Sequence, residues 1–292
     1  MLLRKVEQIL DDRKYAYYEW NGCFNLVANR RDDICIIKVL DNIDSIQEQQ
    51  ANNLKILSNN ISAFTAIVGT HTRRESLEDN VVYERYGIPA MTTETFSGML
   101  DDRKPTLYRT RGGFFIPIDS EKLRKARRKN GFSQRQLAQK IGVNKKFVYE
   151  HEKNGMLSDK DIVIMLENIL NTSISSTIDT RISDEFDDIK LLSDFENNVC
   201  NSLKKIGFST STIHQAPFNI IAKEKVMIFS DAENNEKKAR RNIPSLEKFS
   251  EMTKKPAVII SDKEIDSTLP VICPKELKDY SINDFKKLVK KR

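Results

Sequence analysis

Between Asp119 and Gly155 the chain carries eleven lysines and arginines against four carboxylates, a net +7, although the whole 292-residue sequence sums to only +6. The remainder is close to neutral, so the excess positive charge belongs to one short stretch. A localised cationic patch of this kind suits phosphate contact and predicts strongly salt-dependent binding to nucleic acid. Within it, Lys145, Lys146 and Tyr149 fall on the first turns of a segment with helical pattern. A lysine placed there can donate to guanine O6 and N7, and each good base contact gives about 1–3 kcal/mol of discrimination. Arg124, Arg127, Arg128 and Arg135 are candidates for the phosphate backbone. Gln134 can join them through its amide, aided by the positive end of the helix it opens. For any single one of these cations the plain alternative is a solvated surface charge.

The elements that must position these groups are marked by their caps. Ser133 is an N-cap, followed by the helix formers Gln136, Leu137 and Ala138. Gly142 stands where that helix must stop and the backbone turn sharply. Asn144 caps a second helix, Lys145 to about Glu152, and so stands at its DNA-facing end. Leu137, Ala138, Ile141, Val143 and Val148 are spaced to face one another across the turn. Two short helices joined by a glycine-containing turn form a helix-turn-helix, whose second helix can enter a major groove. A preceding basic helix, 119–129, turns Leu123 and Ala126 inward. A following one, 161–170, carries Ile162, Met165, Leu166 and Ile169.

The stretch resembles the helix-turn-helix domain of the lambda Cro and repressor type. The matching residues are Ser133-Gln134, Leu137-Ala138, Ile141-Gly142-Val143, Asn144, Val148 and Glu152. The resemblance implies double-stranded DNA as partner and fixes the geometry of Gln134 and Lys145. His151 departs from it, because that family usually has an apolar residue there. The expectation is a more exposed helix end or altered packing.

Composition bounds the rest. Hydrophobic content of 39% with 31% charged residues describes a soluble protein, polar but not disordered, and four scattered cysteines fit a reducing cytoplasm. No apolar run approaches the ~20 residues that span a membrane, and MLLRKVEQILDDRK has charges within its apolar pattern, unlike a signal peptide. Cys23, Cys35, Cys200 and Cys273 form no CxxC pair, and the histidines are only His71, His151 and His214. Neither a zinc site nor any other cofactor is expected.

On both sides of the module, strands alternate with helices, which predicts mixed α/β sheets. The expected order is a unit over 1–105, a β-ribbon connector 106–118, the helix-turn-helix domain 119–172, a polar linker 173–187 and a second unit 188–292. The second unit is expected to open on a helix bearing Ile189, Leu192, Phe195, Val199, Leu203 and Ile206, and the tail 285–292 is basic. The flanks also match each other: Phe24–Ala28 with Phe218–Ala222, Asn53–Thr70 with Ser245–Asp262, and Ile88–Phe96 with Leu269–Leu277. The fold class expected is therefore an internally duplicated, helix-first α/β unit flanking a central all-α domain.

Each unit resembles the restriction-endonuclease-like fold. That family binds Mg²⁺ through a carboxylate on one strand and E-x-K or D-x-K on the next. The first unit offers Asn25 and Ile36-Ile37-Lys38 at those places, and the second offers Asn219 before a strand Val226–Phe229 without carboxylate-x-Lys. An amide and an isoleucine cannot replace two carboxylates around a hard cation, so both units read as non-catalytic and metal-free. Glu7, Asp32, Asp33 and Asp41 could form a different cluster, and the plainer reading is exposed turn carboxylates.

Across nearly its full length the chain also resembles archaeal helix-turn-helix transcriptional regulators, through Phe24–Val39, Gly87–Ala90, Gly112–Phe115 and Ala216–Asn219. The expected activity is sequence-specific regulation by a homodimer on a pseudo-palindromic site, the flanks supplying dimerisation, effector binding or both. The alternatives are a metal-dependent nuclease and an antitoxin-like or nucleoid-associated DNA- and partner-binding protein.

Overall fold

The computed structural model describes residues 1–180, 182 and 193–290. The first unit opens on α1 (Leu2–Asp12), whose Val6 and Leu10 are fully buried. Strands β1 (Ala16–Glu19), β2 (Leu26–Arg30) and β3 (Asp33–Val39) then form an antiparallel meander. Next, α2 (Glu48–Ile61) crosses over to β4 (Phe64–Val68), parallel to β3. Ahead of α2, Ile43–Ser45 forms a separate 3-10 turn capped by Asn42. Strands β5 (Val81–Arg85) and β6 (Ile88–Met91) precede α3 (Thr93–Leu100), capped by Thr92.

The ribbon of β7 (Leu107–Thr110) and β8 (Gly113–Pro117) is more than a connector. β7 pairs in parallel with β5, and β9 (Leu157–Asp159) pairs with β8. One nine-stranded sheet, in the order β1-β2-β3-β4-β6-β5-β7-β8-β9, thus runs from the first unit into the helical module. Of the expected linker, the part before residue 181 is packed down. Ile174 is buried, Asp119 N–H donates to its carbonyl, and Ile178 N–H donates to Pro105 O. Ile189 and Leu192 of the expected long helix, and residues 291–292 of the basic tail, lie outside the described residues.

The second unit repeats the first. It runs α8 (Asp194–Ile206), β10 (Ser209–Thr212), β11 (Ile220–Lys223), β12 (Met227–Ala232), α9 (Glu236–Thr253), β13 (Ala257–Ile260), β14 (Val271–Ile272) and α10 (Ile282–Lys290). The sheet order β10-β11-β12-β13-β14 has the same two antiparallel and two parallel pairings as β1-β2-β3-β4-β6. Asn25 Oδ1 accepts from Val39 N at 2.9 Å, and Asn219 Oδ1 accepts from Ala232 N at 2.8 Å, the same bond in both copies.

The copies pack through one shared core. Phe24 lies 5.7 Å from Phe249, which also contacts Phe218 and Phe229, each at 5.0 Å. Polar contacts also cross the seam. Asn53 of α2 exchanges hydrogen bonds with the backbone of His214, and Tyr18 donates to Ser245 of α9 at 2.9 Å. At Gly22 an added Cβ would lie 1.9 Å from Gln215 O, so only glycine lets the two backbones approach this closely.

Candidate nucleic-acid interface

The module begins at α4 (Ser120–Lys129), whose first turn is capped by Asp119 accepting from Glu121 N and Lys122 N. Then come α5 (Gln134–Lys140), α6 (Lys145–Asn154) and α7 (Lys160–Leu170). Ser133 and Gln136 make a reciprocal capping box at α5. Asn144 Oδ1 accepts from Phe147 N at 2.8 Å at α6. Gly142, at φ +71°, makes the turn between them, a backbone state that disfavours L side chains. Leu123, Ala126, Leu137, Ala138, Ile141, Val148, Val163 and Leu166 form the core, with Val143 and Phe147 packed against it.

Residues Lys145, Lys146 and Tyr149 are exposed on α6, as are Arg128 and Arg135 on the preceding helices. Among the described residues, no salt bridge involves Lys145, Lys146, Arg128 or Arg135. Lys122 and Lys125, in contrast, face Asp119 and Glu121 on the module's own surface. Tyr149 is 47% exposed, with Lys153 Nζ 6.0 Å from its ring centroid. The start of α6 therefore offers free ammonium donors and an aromatic edge to solvent.

Three expected contacts need correction or refinement. Arg127 does not face a phosphate. It is buried, with Nε 2.5 Å and Nη2 3.0 Å from the two Glu152 oxygens, and Nη1 donates to Phe132 O at 2.7 Å. Helical spacing puts Arg127 on the inward stripe with Leu123 and Ala126. Gln134 turns its amide to Glu152 at 2.8 Å, and Arg124, though exposed, donates to Glu152 O at 2.5 Å. Glu152 thus ties α4 and α5 to the end of α6. Its burial pushes the carboxyl pKa up, but hydrogen bonds from Arg127 and Gln134 and the charges of Arg127 and Arg124 outweigh this and lower it.

His151 is not exposed. Its ring stacks on Phe147 at 3.9 Å, with Nδ1 2.8 Å from Phe147 O, so the departure from the family pattern is absorbed by packing. Met165 points outward, 41% exposed, and lies near three further exposed apolar positions in sequence: Met156, Leu157 and Ile164.

The places where the restriction-endonuclease resemblance puts metal ligands hold other contacts. Asn25 fixes the Val39 amide, Ile36 is core, and Lys38 is buried with Nζ donating to Gly22 O at 2.7 Å. Burial lowers the Lys38 pKa. Asp32 pairs with Lys254 at 2.6 Å, and Asp33 accepts from the Tyr15 hydroxyl. Among the described residues no three His, Cys, Asp or Glu side chains converge as a metal site. The donor set does not fit Mg²⁺. In the second unit β12 runs three residues beyond the expected Phe229, and this extension buries Asp231, at the place equivalent to Lys38. Sequence reading ended the strand at Phe229 and so missed Asp231.

A capped, cationic second helix held by a helical core and joined to a mixed sheet defines a helix-turn-helix DNA-binding protein. Family comparison agrees: a helix-turn-helix model matches residues 123–176, and a PD-(D/E)XK superfamily domain matches residues 1–105. Relatives named "Putative HTH-type transcriptional regulatory protein" cover most of the chain. That of Methanocaldococcus jannaschii is 33% identical over 99% of this chain and 92% of its own length. The Thermococcus kodakarensis protein is 35% identical over 94% and 90%, and the Methanothermobacter thermautotrophicus protein 31% over 100% and 96%. No solved structure matches. The chain belongs to this family of archaeal HTH-type transcriptional regulatory proteins.

Proposed function

We propose that the chain is a sequence-specific transcriptional regulator that acts in the cytoplasm as a homodimer on a pseudo-palindromic site. Lys145, Lys146 and Tyr149 read base edges, Asn144 presets the helix that carries them, and Arg128 and Arg135, with Arg124 at the margin, hold the backbone. Gln134 Nε2 spends one N–H on Glu152 and keeps a second for a phosphate. The observation that carries this reading is the pair of unneutralised lysines at the capped start of α6. The α/β units are non-catalytic, a reading supported by the amide, isoleucine and buried lysine at the first unit's expected metal place.

One helix-turn-helix contacts about one half-site. The inner faces of both α/β units are occupied by each other, so the second copy docks elsewhere. The exposed apolar residues Met156, Leu157, Ile164 and Met165, on and beside the edge strand β9 and on α7, support that place. Selection of bound DNA from a random pool tests the reading, followed by titration of a Lys145→Ala, Lys146→Ala double variant at several salt concentrations. The expected site has two-fold symmetry, and the variant loses about 1–3 kcal/mol of discrimination per base contact. An unchanged sequence preference in the variant sinks the α6 assignment, and an asymmetric single site sinks the dimer.

A further inference from the structure

A cavity of about 210 Å³ opens at the seam between the two α/β units, away from the helical module. Trp20 of the first unit forms one wall. Glu196 of α8, Asp231 of β12, and Lys238, Arg241 and Asn242 of α9 form the others. The three α9 residues are spaced to share one helix face. The volume holds about seven waters at ~30 Å³ each, which suits a small metabolite.

The charges in the walls are unevenly satisfied. Glu196 is occupied, accepting from Ser193 at one oxygen and from Asn219 at the other. Lys238 pairs with Glu233 at 2.5 Å. Asp231 is 3% exposed, yet among the described residues it has no cationic partner within salt-bridge distance; its hydrogen bond from Asn242 is 3.3 Å long. Arg241 is exposed at the rim and likewise forms no salt bridge among the described residues. His214 Nε2, in the same wall, is buried without a hydrogen-bond partner. Buried polar groups in native proteins are ordinarily satisfied, and a buried charge ordinarily has a counter-charge. A carboxylate inside, a guanidinium at the mouth and an aromatic ring beside them call for a ligand with the opposite charges in the opposite order.

We propose that this seam cavity binds a small zwitterion of the amino-acid class, its ammonium group on Asp231 and its carboxylate on Arg241. Trp20 packs on the body of the ligand, and a group accepting from or donating to His214 Nε2 completes the polar contacts. Because Trp20 also donates to Gln215 O at 2.7 Å across the seam, a ligand there touches both copies of the repeat at once. The site stands independently of the DNA-reading assignment.

Trp20 is the only tryptophan in the chain, so its emission reports on this cavity directly. The intact protein is titrated with the non-aromatic standard amino acids one at a time, up to about 10 mM, with propylamine and propionate as controls. Thermal unfolding is followed in parallel. The expected result is a saturable change in Trp20 emission and a melting-temperature rise of about 3 °C or more with at least one amino acid, and neither change with the controls. Asp231→Asn, nearly isosteric, should abolish the response, and Arg241→Ala, at the exposed rim, should weaken it at least about tenfold, a loss of ~1.4 kcal/mol. The proposal is overturned if no amino acid produces the change, if propylamine matches it, or if the response survives either substitution. Should Asp231→Asn fail to fold, the wild-type titration and Arg241→Ala still decide.

Discussion

Removing Arg127 should destabilise the module through Glu152 rather than through lost DNA contact. The two side chains are 11% and 4% exposed and share a two-pronged contact between α4 and α6. Deleting one member of a buried pair strands the other charge and costs about 3–5 kcal/mol, whereas replacing both with apolar residues is often neutral or better. Arg127→Met should therefore lower the protection of α6 amides in hydrogen exchange by at least about a hundredfold at pH 7, while Arg127→Met with Glu152→Leu should restore most of it. The pH dependence has a definite sign. In the wild type the Glu152 pKa lies below its ordinary 4.5, so its contribution is present above that value and lost as pH falls through the lowered one. Without Arg127, burial dominates and raises the pKa above the unfolded value. The stranded charge then costs most at neutral pH, and the deficit of Arg127→Met narrows from pH 7 to pH 5. Titration of DNA by the double variant completes the assay, since a lost phosphate contact lowers the salt slope by about 0.9 and a buried structural arginine leaves it unchanged. A deficit below about 1 kcal/mol, a deficit independent of pH, or a reduced slope refutes the reasoning.

Substitutions at two further positions probe local terms. Asn144→Ala removes the acceptor for Phe147 N and should cost about 1 kcal/mol, seen as faster exchange in the first turn of α6, while Asn144→Asp keeps the cap and should cost little stability. Equal losses in the two variants would show that capping is not the role of this side chain. Asp231→Asn should stabilise the protein above neutral pH and progressively less below it. Burial, with added repulsion from Glu233 and Glu196 and partial offset by Asn242 and Lys238, raises the Asp231 pKa to about 7 from an ordinary 3.8. His214 and Arg241 are the other ionisable groups in that cavity wall. The ionised form is thus disfavoured by the fold, at a cost of order 4 kcal/mol above pH 7 that vanishes near pH 4. Urea unfolding at pH 8 and pH 5 checks this, and an equal effect at both values would contradict it.

The module was legible because its signals are local. Ser133, Gly142 and Asn144 each act on backbone groups within three or four residues, and the apolar spacing follows one helical period. The place of Arg127 was also readable in principle, four residues after Leu123 and one after Ala126, but its partner Glu152 is 25 residues away and no periodicity names it. Met165 belongs to the apolar pattern of α7 and still faces out, since the pattern does not say how wide a stripe the neighbouring elements cover. The parallel pairing of β5 with β7 is similarly invisible, being decided by which edge of a distant sheet is open. Asp231 was lost for another reason. Acidic residues are rarely fully buried, so a carboxylate ending an apolar run reads as the end of the strand, whereas β12 stays buried through Ala232.

The two copies build the expected metal place on the same backbone contact. Asn25 and Asn219 each accept the amide at the end of the next strand, a role an aspartate could also fill. Asn219 does more: its Nδ2 donates to Ala232 O at 2.8 Å and to Glu196 Oε1 at 2.7 Å. A carboxylate there would set one oxygen against two acceptors, one of them charged, so the amide is required by its neighbours. Two positions along the hydrogen-bonded partner strand from Ile36 and Phe229, the copies diverge in sign, with buried Lys38 on Gly22 O in one and buried Asp231 facing the seam cavity in the other. Opposite charges thus occupy one register position of the two copies. In one copy this position braces the loop that meets Gln215, and in the other it forms a wall of the seam cavity.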